Sequence, residues 1–424
     1  MKVIVLGAGV IGVTSAYFLG RAGHQVVVLE KNSEAGLECS YANGGQLSYS
    51  HVETWAAKAS FFSMTKAAIM PGSFLTISDF ASKNFLKWLR EFYKNSSPKN
   101  SQENSRRLFR LTSYSKEVLA EIMREEKDLK FDYKNNGILH FFRNIKKFDA
   151  AIKEAEFHNS IGCKAQILNA EECIKKEPTL VKLFDEKKLA GGIFYEIDAS
   201  GNSFLFTKAL EKICREKYGV VFEYGAEVKN ILTNHKKITG INSSKGVFVA
   251  NKYVYAMGAT GDMLLRGINI HSKIYPLKGY SLSIAANEEF IAPNLALTDC
   301  ENKIVYSRLG DVFRAAGTVE ICGLKANKSN KHISFLKNSI RATFSDFGNF
   351  NDVSDWFGFR PFRSNSIPLI CEVKKYGNLL LNTGHGSLGW TLSAASGKIL
   401  ADLVSDQKDE RFGFLEEEEE EINS

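Results

Sequence analysis

A chain of 424 residues is too long for one small core, so two domains are the default expectation. A hydrophobic content of 44% and a charged content of 24% fit a globular protein and exclude a disordered or fibrous one. No run of about 20 apolar residues offers a membrane span.

Met1-Lys2 runs straight into a strand pattern, without a leader-like segment. The seven cysteines, at 39, 163, 173, 214, 300, 322 and 371, are odd in number and show no paired spacing. Reduced thiols and a cytoplasmic location are therefore expected. The eight histidines show no HExxH or zinc spacing, so no metal site is expected. No nucleic-acid partner is expected either. The formal charge of +7 includes six glutamates at 416–421, so the rest of the chain is more basic still. A basic body suits an anionic surface or anionic ligands, although scattered solvated lysines read the same way. The glutamate run reads as a disordered, solvating tail over 413–424.

The first thirty residues carry the strongest pattern. An apolar run at 2–6 is followed by Gly7-Ala8-Gly9-Val10-Ile11-Gly12, a helical pattern through Ala22, and a second apolar run at 25–29 ending at Glu30. Strand, glycine turn, helix, strand and acid, in that order, form a dinucleotide-binding unit. Gly7 permits the tight turn, Gly9 lets the backbone approach a pyrophosphate, and Gly12 allows close helix–strand packing. The helix N-terminus then faces the phosphates. Glu30 is placed to hold ribose hydroxyls and disfavours a 2′-phosphate. Val5, Leu6 and Lys31 complete the expected cofactor contacts. The unit alone does not separate NAD from FAD.

Further along, 39–46 is small and glycine-rich, with Asn43, Gly44, Gly45 and Gln46 reading as a loop near a ligand. Residues 55–94 mix Trp55, Phe61, Phe62, Phe74, Phe80, Phe85, Trp88 and Phe92 with Lys58, Lys66, Lys83, Lys87, Arg90 and Lys94. The 79–93 part approximates helical spacing. It reads either as a helix packed on its own domain or as an amphipathic surface helix touching a membrane or an acceptor. A polar linker is expected at 95–105 and a helix at 108–129. Strands are expected at 137–142 and 191–195, a helix at 204–218, and a small sheet within 220–249. The strand at 252–257 ends in Gly258-Ala259-Thr260, which would bring backbone to the cofactor again, from a distant part of the chain. The third glycine cluster, Gly384-His385-Gly386-Ser387-Leu388-Gly389-Trp390, joins a strand at 379–383 to a helix at 392–404. A second helix N-terminus stabilises negative charge. Reduced flavin develops such charge along its N1–C2=O edge, and a nicotinamide enzyme has no need of it.

The chain resembles the FAD-dependent D-amino-acid oxidase superfamily, and within it the bacterial D-amino acid dehydrogenases of small-subunit type. The likeness runs from Met1 to about Leu403. It is carried by VIVLGAGVIGVTSAYFL, ANGGQLS, YPLKGYSL at 275–282, GFRP at 358–361 and LNTGHGSLGWTLSAASGK at 381–398. The resemblance implies an α/β fold in which a Rossmann-like FAD domain is interleaved with a substrate domain built on an antiparallel sheet. The expected division is 1–50, 200–262 and 355–412 for the FAD domain, with 51–199 and 263–354 for the substrate domain. It implies non-covalent FAD, with Val228 near the adenine, Gly258 and Ala259 at the pyrophosphate, and 384–390 at the flavin ring. Arg360 of GFRP would clamp a substrate carboxylate, Tyr280 would offer a hydroxyl, and His385 would neighbour the flavin. The implied reaction turns a D-amino acid into a 2-oxo acid and ammonia, with electrons passing to a quinone-type acceptor at a membrane face.

The chain departs from the family pattern at several points. Arg363-Ser364-Asn365-Ser366 stands for Thr-Pro-Asp-Gly, Cys371 for a glycine, Tyr49-Ser50 for Pro-Gly, and alanines occupy the 314–318 strand where a second glycine is usual. The glutamate run replaces the usual C-terminal end. Two other readings stay open: a flavin enzyme acting on glycine, sarcosine or a proline derivative, and a flavin-binding protein whose activity has decayed.

Overall fold

A computed structural model describes residues 1–54, 73–286, 292–345, 350 and 353–423. Trp55, Lys58, Phe61, Phe62 and Lys66 of the aromatic–basic region lie outside the described residues.

The apolar run Lys2–Leu6 is buried after its first residue, as a strand covered on both faces must be. It is a middle strand of a six-stranded sheet ordered Leu369–Glu372, Leu379–Thr383, Lys252–Tyr255, Lys2–Leu6, Gln25–Leu29, Val221–Glu223. All neighbours are parallel except the first pair. Leu6 pairs with both Tyr255 and Leu29. Helices Val10–Arg21 and Gly389–Val404 leave the carboxyl ends of strands 2–6 and 379–383. They pack so closely that a Cβ on Gly397 would lie 2.7 Å from the backbone of Thr14. The second helix begins three residues before the expected Leu392, at the glycine that follows the turn.

The second sheet is ordered Val353–Arg363, Ile274–Ala285, Val312–Ile321, Ile304–Leu309, Ala296–Asp299, Ile138–Phe142, Gly191–Tyr195, Ala165–Leu168, with Leu75–Ile77 on Val312–Ile321. Its pairings are antiparallel except 138–142 with 296–299 and 75–77 with 312–321. Strand 353–363 pairs along its length with 274–285, so it belongs to this sheet and not to the cofactor domain expected from residue 355. A short ladder, Gln46–Leu47 on Ala199–Ser200, ties the glycine loop to the chain that leads back into the first sheet.

Two expectations are corrected. The polar stretch 95–105 is a linker only to Ser97. Helix Pro98–Glu125 then begins, with proline in the first turn and the Ser97 side chain accepting from Asn100 N. Proline suits that position because its missing N–H would have no partner there. Ser101, Asn104 and Ser105 face inward, so small polar residues make up the packed face. Likewise 414–423 is not disordered: Phe414–Asn423 is a helix, and Glu418 and Glu419 are 3% and 2% exposed. The helix expected near 79–93 is Lys83–Lys94, capped by Ser82. Phe85, Trp88 and Phe92 pack on Tyr275, Leu277 and Phe362, and Trp88 Nε1 donates to Phe362 O at 3.2 Å. Among the described residues no helix is long and apolar enough to cross a membrane.

Gly397→Ala forces a methyl into the Thr14 backbone. Overpacking of this kind costs about 1–3 kcal/mol. The urea midpoint should fall with the m-value unchanged, as measured on the purified protein.

Candidate active site

The three glycines of the first turn take three different roles. Gly7 has φ +97°, and a Cβ there would lie 2.8 Å from Ala256 O. Gly12 has no room for a Cβ against Gly7 O. Around Gly9 the only neighbour of such an atom among the described residues is Ser40 Oγ, at 3.6 Å. The space above Gly9 is therefore open at the start of a helix without a side-chain cap, which is the cradle a pyrophosphate needs. Gly258, at φ +59°, has nothing among the described residues within 4 Å of its added Cβ, and Ala259 beside it is buried. Both follow the adjacent strand, 252–255. The glycine turn thus fits a dinucleotide on this chain's own geometry.

Glu30 is buried, with Oε2 accepting from Ala8 N at 2.8 Å and Oε1 from Asn32 N and Nδ2 at 2.9 Å. Three of its roughly four acceptor sites are used, which leaves one for a ribose hydroxyl. Val10 N donates to Ser40 Oγ at 2.9 Å. Val5 and Leu6 are fully buried strand residues and Ile11 packs at the edge of the core. Lys31 points outward, paired with Glu38 at 2.7 Å. Val228 opens the strand Val228–Asn234 beside the end of 25–29, where Ala226 N donates to Glu30 O at 2.8 Å.

A cavity of about 740 Å³ lies between the glycine loops and the second sheet. Its cofactor-side wall contains Asn43, Gly44, Gly45 and Gln46 together with Ser387, Leu388, Trp390 and Thr391. The loop is held from behind: Asn43 Nδ2 donates to Ser203 Oγ at 2.7 Å, and Gln46 Nε2 donates to Leu297 O at 3.0 Å. Gly45 is at φ +69°. Trp390 Nε1 donates to Gly201 O at 3.0 Å. Gly384 and Gly386 have φ of +83° and +57°, so both turn where a side chain is strained. His385 is buried and its Nε2 meets Ser396 Oγ at 2.8 Å. Burial pushes its pKa down to about 3, so the imidazole is neutral and braces the turn. Gly389 begins the helix.

The opposite wall carries Arg360. Leu277 pairs with Arg360 in the ladder, so Gly279 shares Arg360's face and Tyr280 does not. The guanidinium lies across Gly279, where any Cβ would collide with it, and Nη1 donates to Thr318 O at 3.0 Å. Among the described residues no carboxylate pairs with it, and desolvation lowers its pKa. Burying such a cation is costly without an anion. Tyr280 points to the far side. Its hydroxyl bonds Glu320 and accepts from Ser329 N, Lys278 Nζ is 3.0 Å from the same Glu320 oxygen, and His332 stacks on the ring. The structure therefore brings Arg360 together with 43–46 and 387–390, and turns the hydroxyl of Tyr280 away from them.

Thr318 was not anticipated as a site residue. It is a non-glycine residue at φ +58°, its Oγ1 is buried without a partner among the described residues, and its carbonyl positions Arg360. Such strain costs about 1–3 kcal/mol and collects at functional sites. Gly279 and Trp356 on the same wall were also missed, because a strand's face is set by register and not by composition.

Gly9→Val should fill the open cradle while keeping φ near −71°, which valine tolerates. The variant should fold with wild-type circular dichroism and take up little FAD in a fluorescence titration. Full FAD content would remove the pyrophosphate from this turn.

The family model for FAD dependent oxidoreductases (DAO) matches residues 2–403. The D-amino acid dehydrogenase of Granulibacter bethesdensis is 35% identical over 408 residues, covering 96% of each chain. That of Paramagnetospirillum magneticum is 36% identical over 415 residues, covering 96% of this chain and 95% of its own. Among solved structures, glycine oxidase from Geobacillus kaustophilus superposes with a TM-score of 0.74 at 20% identity, covering 96% of both chains. L-proline dehydrogenase from P. horikoshii gives 0.71 at 16%, covering 98% of both. These structural likenesses concern the fold alone. An open glycine cradle, a second glycine turn at a helix N-terminus and a full-length match agree, and the chain belongs to the family of FAD-dependent oxidoreductases.

Proposed function

We propose that this protein is a D-amino acid dehydrogenase: it oxidises a D-alanine-like amino acid to an imine that water converts to a 2-oxo acid and ammonia, and passes the electrons to a quinone-type acceptor. The observation that carries the reading is Arg360, a half-buried, desolvated guanidinium that lines the cavity and pairs with no acid among the described residues. Its planar fork matches a carboxylate bidentately. The Thr318 carbonyl fixes one Nη and leaves the rest of the fork for the substrate. Bound FAD supplies the two-electron oxidation. This chain's residues clamp the carboxylate, orient Cα and line the space between the glycine loops and the second sheet. Orientation of that kind supplies several kcal/mol of the barrier. The relatives named D-amino acid dehydrogenase support D-amino acids over the glycine and proline alternatives suggested by fold likeness.

Arg360→Lys keeps the charge and loses the fork. A lost charge-assisted hydrogen bond is worth about 1.5–3 kcal/mol, or roughly one to two decades in kcat/KM. Gly279→Ala leaves the arginine in place but displaces its guanidinium. It should raise KM by about tenfold. Both variants should keep the flavin spectrum. Anaerobic D-alanine should bleach the wild-type protein. An unchanged kcat/KM in Arg360→Lys would take the arginine out of the site.

The acceptor and its location form the finer part of this reading. Helix 83–94 buries Phe85, Trp88 and Phe92 against the protein. It also leaves Leu86 and Tyr93 52% and 66% exposed, beside Phe80 at 56%. Lys83, Lys87 and Arg90 are exposed on the same helix. Exposed apolar groups among cations suit peripheral attachment to an anionic membrane. Stopped-flow reoxidation should be faster with a soluble quinone than with oxygen. Anionic liposomes should co-sediment the protein and release it in salt, because attraction is screened beyond about 8 Å at physiological ionic strength. Reversing Lys83, Lys87 and Arg90 to Glu should abolish sedimentation. Faster reoxidation by oxygen would indicate an oxidase, and sedimentation indifferent to salt and charge reversal would leave this helix a packing element.

A further inference from the structure

Two departures from the family pattern, the 363–366 stretch and the glutamate run, meet in space. Arg363 is 2% exposed and Glu418 is 3% exposed. Arg363 Nη1 is 2.6 Å from Glu418 Oε2, and it also donates to Ile367 O at 2.9 Å. Asn365 Nδ2 donates to the same Glu418 oxygen at 2.7 Å. Arg107 of helix 98–125 stands 3.8 Å from the other oxygen. The glutamate run thus closes a buried charge site that the altered 363–366 stretch opens.

The far side of Arg363 is the floor of the second glycine turn. Its Cδ and Cγ lie 2.9 and 3.0 Å from where a Cβ on Gly384 would stand. The same strand holds the turn at two further points. Gly386 N donates to Pro361 O at 2.9 Å, and Phe362 bridges His385. The turn then delivers Ser387, Leu388 and Trp390 to the cavity wall. A continuous set of contacts therefore runs from the C-terminal helix through Glu418 and Arg363 to the loop expected at the flavin ring.

We infer that Glu418 and Arg363 are positioning residues for flavin: the C-terminal helix sets the 384–388 turn, and with it the affinity for FAD and the flavin's reduction potential. This rests on the reading that the 384–390 turn meets the ring. Removing one partner of a buried ion pair is strongly destabilising. In Glu418→Gln the surroundings of the Arg363 cation, directly beneath the turn, lose one negative charge. A cation there favours the electron-rich, reduced cofactor.

The test uses full-length protein. FAD is titrated into deflavinated wild type and into Glu418→Gln, and the midpoint potential of each loaded protein is measured with a reference dye. Glu418→Gln should weaken FAD by about tenfold or more and raise the potential. Glu419→Gln is the control. Glu419 accepts from Lys374 N at 2.9 Å on the same helix, so its loss should lower the melting temperature and leave the potential unmoved. If Glu418→Gln does not accumulate, Glu418→Asp keeps the charge and shortens the reach, and it should weaken FAD by a smaller factor. Unchanged FAD affinity and potential in the folded Glu418 variant would overturn the inference. So would an equal shift of potential in Glu419→Gln, which would mean that any loosening of the helix suffices. A wild-type protein that takes up no FAD would overturn the flavin reading, and this inference with it.

Discussion

The site depends on two helices being allowed to start at the same edge of one parallel sheet. Strands 2–6 and 379–383 are separated by a single strand, 252–255, so their ends lie about 10 Å apart. Two helices at that spacing fit side by side only if their facing surfaces are small. Gly397 against the Thr14 backbone meets the requirement, and Gly12 beneath Gly7 O brings the first helix down onto its strand. Given those close approaches, two helix N-termini stand at the carboxyl ends of the strands, the edge where open α/β sheets bind ligands, and the second of them borders the cavity. On the proposed reading the first serves a pyrophosphate and the second the electron-rich edge of a flavin. The second sheet closes the crevice from the other side.

How much of this was legible in the residues depended on whether the cause was local. Strands 2–6 and 25–29 and the glycines between them could be read because burial on both faces demands a continuous apolar run and the turn demands specific glycines. The same local logic reached the third glycine cluster, and the resemblance extended the reading to Arg360. Face and register were not legible. Tyr280 and Gly279 are neighbours in sequence, yet only the pairing of Leu277 with Arg360 decides which of them meets the arginine. Composition also misled at 98–105, where Ser101, Asn104 and Ser105 read as linker and are buried on a helix.

The glutamate run is the clearest case of a non-local cause. By itself it has every property of a solvated tail. Glu418 becomes a core residue because Arg363, 55 positions earlier, is held away from water and pairs with it at 2.6 Å. The 363–366 stretch, read alone, looked like a loss of the family's pattern. Together the two segments are one interaction, and neither can be interpreted without the other.

Arg360 and Arg363 sit three residues apart on one strand and therefore face opposite ways. Arg363 is taken out of water by this sheet and Arg360 is partly so. Arg363 pairs with the chain's own Glu418, so its charge is committed to architecture. Arg360 donates to one carbonyl and meets no acid among the described residues, so its desolvation is left without a counter-charge there. An anion entering the cavity relieves that cost, whereas a neutral molecule of the same shape does not. On the proposed reading, the energy of holding this cation without an acid among the described residues becomes selectivity for a carboxylate, and the strained Thr318 that fixes the guanidinium is part of the same expense. Selection between amino acids then comes from elsewhere in the cavity, because Arg360 in that role recognises only the group they all share.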